Sequence, residues 1–435
     1  MQVWVGLTTS DLTGLEHSPG LSFRAQSGTM QVCQGGRVLF DTASLRVHSA
    51  DQVLSAEGKK VSLREPVILK TVGRTSGFYI DNLKRAGIKG APFYRGDIRI
   101  AKSGNKVRVS LFLDLDSYLA GVLAAEMPAS YHIEALKGQA LCARTYALHP
   151  RLPHDLDKVN VCDSFLCCQY FAGHSAALDA RIDKAISATA SEVLVFDDKP
   201  ILALFSSNAG GHTENYENCF SDPLTGAFPP PPLPYLKGVA EGRFAVAAGG
   251  EDFLRYLWGN RQNKTFSADA WSGKFHFLHS FSSESLEAHM HHVAEKLAGD
   301  RESAPFVVPA SSGFGRILGL RVLKRGVSGV AIELSVDTDK GNWIFKKELV
   351  IRKLFENADL KLKRLNSARI FFDQDFQAAP RGAKVKTLRS LTVYGLGYGH
   401  GVGFQQQGAQ GHALKGFDYR AILSHYFNGV NIEKV

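Results

Sequence analysis

The chain has 435 residues, 44% of them hydrophobic and 21% charged, which leaves room for two or three domains or one large elaborated one and excludes a disordered chain. Its 51 Lys and Arg against 42 Asp and Glu give a formal charge of +9, favouring an anionic partner such as an acidic cell-wall polymer or a membrane surface. The basic residues are dispersed and carry no zinc-finger, RNA-recognition or basic-zipper pattern, so nucleic acid is not expected as a partner.

Residues 1–7 lack the basic and apolar regions of a secretory leader and read at once as a strand. No apolar run reaches the ~18–20 residues that cross a bilayer, so no transmembrane segment is expected. Short β-type runs at 3–7, 37–40, 67–72 and 107–113, broken by Gly, Ser and Asn, make residues 1–112 a β-rich module. Residues 113–128 predict a short helix capped by Ser117 and ended by Pro128, because proline disfavours helical geometry in the residue before it. Glu126 then stands at a helix end. A second helix is predicted over 132–148, with Leu136, Ala140, Ala143 and Ala147 on one stripe and Gln139 and Arg144 off it, followed by Pro150 as a stop.

Of the six cysteines, Cys162, Cys167 and Cys168 fall within seven residues, a spacing that favours a metal or redox site over a disulfide framework. A helical run at 178–190 is followed by an expected hairpin of 193–196 with 201–206, turning at 197–200. Residues 229–234 are proline-rich and read as an extended loop. Residues 250–300 read as mainly helical, 315–375 as alternating strands, and 393–435 as a glycine-rich loop with two short helices. The fold class expected is mixed α+β, divided into a β-rich module (1–112), a first core part (113–239), a strand-rich inserted or lid-like module (240–385) and a C-terminal core part (386–435).

Three segments are poorly explained by packing: Glu126-Met127-Pro128, residues 206–213, and the stretch 395–409 with its repeated glycines. Glycine lets the backbone approach a ligand closely, so loops of this kind rim clefts. The three could meet around one groove.

These residues carry a resemblance. Tyr118, Leu119, Gly121 and Val122, then Glu126-Met127-Pro128, Glu134-Ala135-Leu136-Lys137, Gln139-Ala140 and Ala143-Arg144-Thr145-Tyr146-Ala147, are similar to the hallmark run of the stage II sporulation protein D (SpoIID/LytB-domain) family. Its Ser-x-x-Gly-Gly-x-Thr-Glu element is matched at 207–214, and its closing glycine-rich element with Ile-Leu-x-His-Tyr at 395–426. The order is preserved over about residues 100–435. The resemblance implies an α/β catalytic core and a lytic transglycosylase, a lyase acting on the bond from N-acetylmuramic acid to N-acetylglucosamine in peptidoglycan strands already stripped of stem peptides. It also implies the periplasm or cell envelope as the location, with any leader absent from this chain, and a cell-wall amidase acting upstream.

The family's catalytic glutamate falls on Glu126, which would protonate the glycosidic oxygen and then, as base, help the sugar's 6-hydroxyl attack the anomeric carbon. Such an acid has to hold its proton at working pH, which an apolar setting of Leu123, Ala124, Ala125, Met127 and Pro128 would favour. Arg144 is expected to bind a muramic carboxylate or else to be a surface arginine. Gln139, Ser206, Ser207 and Gln405 are expected substrate ligands or, for the serines and Gln405, loop caps. His400 would bind sugar, orient the glutamate or be structural, and His289, His291 and His292 read as a solvated helix face. Some family members bind zinc after the second helix. That implies a structural zinc on Cys162, Cys167 and Cys168, with His154 or else His149 as fourth ligand, against a disulfide in an oxidising compartment. No cofactor is expected in catalysis itself. A non-catalytic wall-binding or amidase-enhancing module and a zinc-dependent hydrolase are the alternative functions.

Overall fold

Apolar residues alternate along Lys106–Asp114, burying Val107, Val109, Leu111 and Leu113 on one face, as a half-buried strand requires. This strand is central to an antiparallel sheet, pairing with Gln2–Leu7 on one side and Asp97–Ser103 on the other. The computed structural model describes residues 1–18, 20–71, 76–150, 154, 158–174, 179–377 and 387–435. Leu178, at the start of the helical run expected over 178–190, Val72, which closes the expected run 67–72, and the boundary expected at 385/386 lie outside the described residues. The chain is mixed α+β and forms two compact units, Met1–Leu202 with Ile432–Val435, and Ala203–Asn431.

Among the described residues the first unit holds an eight-stranded and a six-stranded sheet. The eight-stranded sheet ends on Val161–Cys162, which runs parallel to Gln2–Leu7. Among the described residues the helices that follow include α1 (Leu115–Glu126), α2 (Ile133–Leu148) and α3 (Ala180–Ala188). The cap of α1 is Asp114, not Ser117: Asp114 accepts from the Ser117 N–H at 2.9 Å and from its hydroxyl at 2.6 Å. Helix α2 buries every residue from Ala135 to Ala147 except Lys137, so it has no single apolar stripe; it packs between α1, α3 and the strand Glu192–Phe196.

The expected hairpin is shorter than predicted. Asp197 and Asp198 have φ of 49° and 60°, a two-residue turn of the twist that suits hairpins, and return the chain only through Lys199–Pro200. In the second unit Phe205–Ser206 pairs in parallel with Phe404–Gln405.

The second unit carries α4 (Glu251–Gly259), α5 (Ser283–Gly299), α6 (Glu348–Leu354), α7 (Gln406–Leu414) and α8 (Tyr419–Tyr426). Its strands form a three-stranded sheet, His276–Ser282 with Thr387–Leu396 and Ile370–Gln377, and a four-stranded sheet including Ile317–Arg325 and Ala331–Thr338. The strand His276–Ser282 lies inside the stretch read as helical. Its burial alternates only loosely, and its neighbours on both sides carry helical spacing. Phe253, Leu254, Leu257, Ala270, Phe275, Phe371 and Leu396 form a core cluster that binds α4 to the three-stranded sheet.

Candidate active site and metal centre

Glu126 is the last residue of α1. Met127 leaves the helix at φ −132° while its N–H still reaches the Leu123 carbonyl, and Pro128 follows. The apolar run around Glu126 is split by the helix: Leu123 and Met127 are buried, Ala124 and Pro128 are exposed, and Glu126 itself is half-buried. Its Oε1 accepts the backbone N–H of Tyr170 at 2.7 Å. Tyr170 is fixed in turn by its hydroxyl, which donates to the Ala86 carbonyl at 2.7 Å, and by packing with Leu12, Ala172 and Ala125.

The loop bearing Tyr170 is anchored at Asp163. That carboxylate accepts from the Thr8 backbone N–H at 2.9 Å and from Arg85 Nε at 2.8 Å, both side chains of the ion pair being wholly enclosed. A second anchor is the contact of α1 with Phe171. A Cβ on Gly121 would come within 2.3 Å of the Phe171 ring and 2.8 Å of the Gly173 carbonyl, so glycine lets the helix seat there. Gly121→Ala should therefore destabilise the first unit by about 1–3 kcal/mol, the ordinary cost of overpacking. Thermal unfolding measures it; a variant as stable as the wild type would show that Phe171 yields freely.

Arg144 and Gln139 are buried, Arg144 at 2% and Gln139 at 0% exposure. The Arg144 guanidinium donates to the carbonyls of Glu192 at 3.1 Å and Ile186 at 3.4 Å and lies 3.8 Å from Asp116. It is neither a surface arginine nor a free carboxylate receptor; it ties α2 to α3. No hydrogen bond to the Gln139 side chain is made among the described residues.

The cysteine cluster fits a metal. His154 and Cys162, Cys167 and Cys168 bring their ligand atoms within 4.8 Å of one another. His154 Nε2 stands 3.0 Å from Cys168 Sγ and 3.5 Å from Cys167 Sγ, and the two sulfurs are 4.0 Å apart. Tetrahedral zinc with Zn–S near 2.3 Å and Zn–N near 2.0–2.1 Å spaces its ligands by about 3.5–3.8 Å, so the four atoms already outline such a shell. All six cysteines are free thiols, and 4.0 Å is twice a disulfide bond length. Hydrogen bonds from Cys162 and Cys167 pull the Cys168 thiol well below its ordinary pKa, while the same contacts push Cys162 up. His149 caps α2 and is not in the cluster.

The glycine-rich segments lie in the second unit and hold each other. Ser206 Oγ donates to Gln405 Oε1 at 2.8 Å and accepts from the Gly401 N–H at 3.0 Å, and Gln405 Nε2 donates to the Gly403 carbonyl. Ser206 and Gln405 are buried, so their polar atoms serve the loop. Ser207 is half-buried and its hydroxyl accepts from Lys274 at 3.3 Å and Gln407 Nε2 at 3.2 Å. His400 reaches solvent in part, yet its imidazole is enclosed: burial pushes its pKa down to about 4, its Nδ1 accepts the Val402 N–H at 3.0 Å, and Phe220 meets it edge-on.

Arg369, which the sequence did not single out, explains two of the glycines. It is fully buried and donates to the Asn208 carbonyl at 3.2 Å, and a Cβ at Gly397 or Gly401 would come within 2.4 and 2.1 Å of its guanidinium. Glu214 is likewise spent, accepting from Ser328 N–H at 2.9 Å, its hydroxyl at 2.6 Å and Asn218 at 2.8 Å. Exposed Tyr398, with Lys274 Nζ 5.0 Å from its ring centre, is the aromatic surface beside Ser207 that the sequence reading missed. Its signal was its position between two glycines. His289, His291 and His292 lie along α5; His291 and His292 are exposed, and His291 pairs with Glu295 at 2.9 Å.

Comparison with known proteins bears on these residues. The model of the stage II sporulation protein (SpoIID) family matches residues 103–196, which contain α1, α2, Tyr170 and the cysteine cluster, and a domain of unknown function, DUF8618, matches 282–403. Stage II sporulation protein D of Bacillus subtilis is 25% identical over 336 residues, covering 74% of this chain and 75% of that protein. An uncharacterised protein of Brachyspira hyodysenteriae is 25% identical over 345 residues, 78% of this chain and 72% of the relative. The amidase enhancer of Bacillus subtilis is 25% identical over 72% of this chain but only 40% of its own length. With its motifs in order, a family model matched over residues 103–196 and relatives aligned across three quarters of its length, the chain is similar to the stage II sporulation protein D family.

Proposed function

We propose that the chain is a lytic transglycosylase of the cell envelope that cleaves the bond from N-acetylmuramic acid to N-acetylglucosamine in peptide-stripped glycan strands. The observation carrying this reading is the carboxylate of Glu126, fixed at the end of α1 by the Tyr170 N–H inside the segment that matches the family. In the mechanism, Glu126 gives its proton to the glycosidic oxygen as the C1–O bond breaks. The resulting carboxylate takes the proton of the sugar's own 6-hydroxyl as that oxygen bonds to C1. The acid is regenerated and no water is consumed, which separates the scheme from two-carboxylate hydrolysis.

The net positive charge suits a polymer bearing muramic carboxylates, and an amidase that strips stem peptides would act first. The cysteine cluster would hold a structural zinc: three thiolates and a histidine close its shell and leave no open position for catalysis.

Mass spectrometry of products from defined glycan strands tests the proposal. Fragments ending in 1,6-anhydro-N-acetylmuramic acid are expected; reducing muramic ends carrying an added water would make the protein a hydrolase. The likeness to an amidase enhancer favours a second reading, a wall-binding module without cleavage. Binding to strands with no fragment released, together with faster turnover by an added amidase, would establish that one instead.

A further inference from the structure

The second unit contains a buried carboxyl group whose ion-pair partners among the described residues are histidines alone. Glu241 is wholly enclosed, and among the described residues no Lys or Arg pairs with it. Two histidines from different helices lie against it, His412 in the last turn of α7 and His425 in the last turn of α8, with Lys415 and Asp269 further off as charges that also act on it. His412 Nε2 lies 3.1 Å and His425 Nε2 3.8 Å from Glu241 Oε2, and the ligand atoms of all three fall within 4.8 Å of one another.

Three polar atoms around this point, Glu241 Oε1, His425 Nε2 and the Tyr426 hydroxyl, are buried and make no well-formed hydrogen bond, although the Tyr426 hydroxyl lies near enough to the Glu241 carboxyl to interact with it. Buried polar atoms of native proteins are rarely left so, and a bound ion is a standard partner for them. The space is kept open by Gly408 of α7, where a Cβ would come within 2.2 Å of the Tyr426 hydroxyl and 2.7 Å of Glu241 Oε1.

We propose that Glu241, His412 and His425 bind a divalent transition-metal ion, with zinc the best match, and that the Tyr426 hydroxyl faces its fourth position. Two imidazoles and one carboxylate are a donor set that zinc accepts, and ligand bonds of 2.0–2.2 Å space such atoms about 3.3–3.5 Å apart, between the two separations seen. The ion would neutralise Glu241 and fasten α7 and α8 to the segment at 241. This inference is independent of the glycan chemistry, and the site differs from the cysteine cluster in having no sulfur.

The test uses the full chain, purified without chelator, with zinc counted by metal analysis. His425→Ala and the isosteric Glu241→Gln are each expected to lose one zinc per chain that Cys168→Ser retains. In the wild type, Co²⁺ loaded at this site should give ligand-field absorption without the thiolate charge-transfer band that the cysteine cluster would show. Retention of every zinc by both variants would overturn the proposal. So would a wild-type chain whose bound Co²⁺ is entirely thiolate-ligated, a readout that does not depend on how the variants fold.

Discussion

Replacing Glu126 by Gln is expected to reduce release of glycan fragments by at least ~10²–10⁴-fold, because a positioned acid contributes that much and this residue would serve as base as well. The substitution is nearly isosteric and keeps the Oε1 acceptor that meets the Tyr170 N–H at 2.7 Å. The half-buried site therefore loses no volume, and the circular dichroism spectrum and the affinity for glycan strands should match the wild type. The amide has no proton to give at working pH and accepts none afterwards, so both halves of the exchange fail together. Turnover near the wild-type rate with unchanged folding would remove Glu126 from the mechanism. Loss of binding along with cleavage would instead mean that the carboxylate holds substrate.

The placement of Glu126 at a helix end was legible in the sequence because it is local, a helix-former run with a proline two residues on, whereas its proposed role rests on the family resemblance. Tyr170, which holds the carboxylate, lies 44 residues away, and nothing in its spacing predicts the contact. Long-range packing also defeated the reading of α2. Alanine at 140, 143 and 147 suggests a single stripe, whereas residues 135–147 are buried all round except at Lys137 and even Arg144 is turned inward onto the carbonyls of its neighbours. The same logic explains Ser206 and Gln405. Polar residues in a glycine-rich segment resemble ligands for an outside molecule, but here each is the other's hydrogen-bond partner, 199 residues apart. The glycines at 397 and 401 were legible as special, yet their cause, the buried Arg369, could be found only in three dimensions. The mixed α+β class and the two C-terminal helices were plain from composition and periodicity.

Removing the zinc proposed for the cysteine cluster should let the first unit unfold more readily without altering the chemistry proposed for cleavage. The ligands His154, Cys162, Cys167 and Cys168 join the end of the strand Val161–Cys162 to the loop that carries Tyr170, so a closed tetrahedral ion would pin that loop. An ion bound only by the folded state stabilises it by about 2.7 kcal/mol at a hundred times its dissociation constant and about 4.1 kcal/mol at a thousand times. For a unit of this size each kcal/mol moves the melting midpoint by ~2–4 °C. Chelation, or Cys168→Ser, should thus lower the midpoint by roughly 5–16 °C. Because the proposed ion would take no part in proton transfer, fragments still formed at low temperature should keep the anhydro ends expected of them. A midpoint indifferent to chelator, together with fewer than six titratable thiols after denaturation, would leave a disulfide in place of the metal. A switch to hydrolytic products on chelation would show that the ion belongs to the reaction after all.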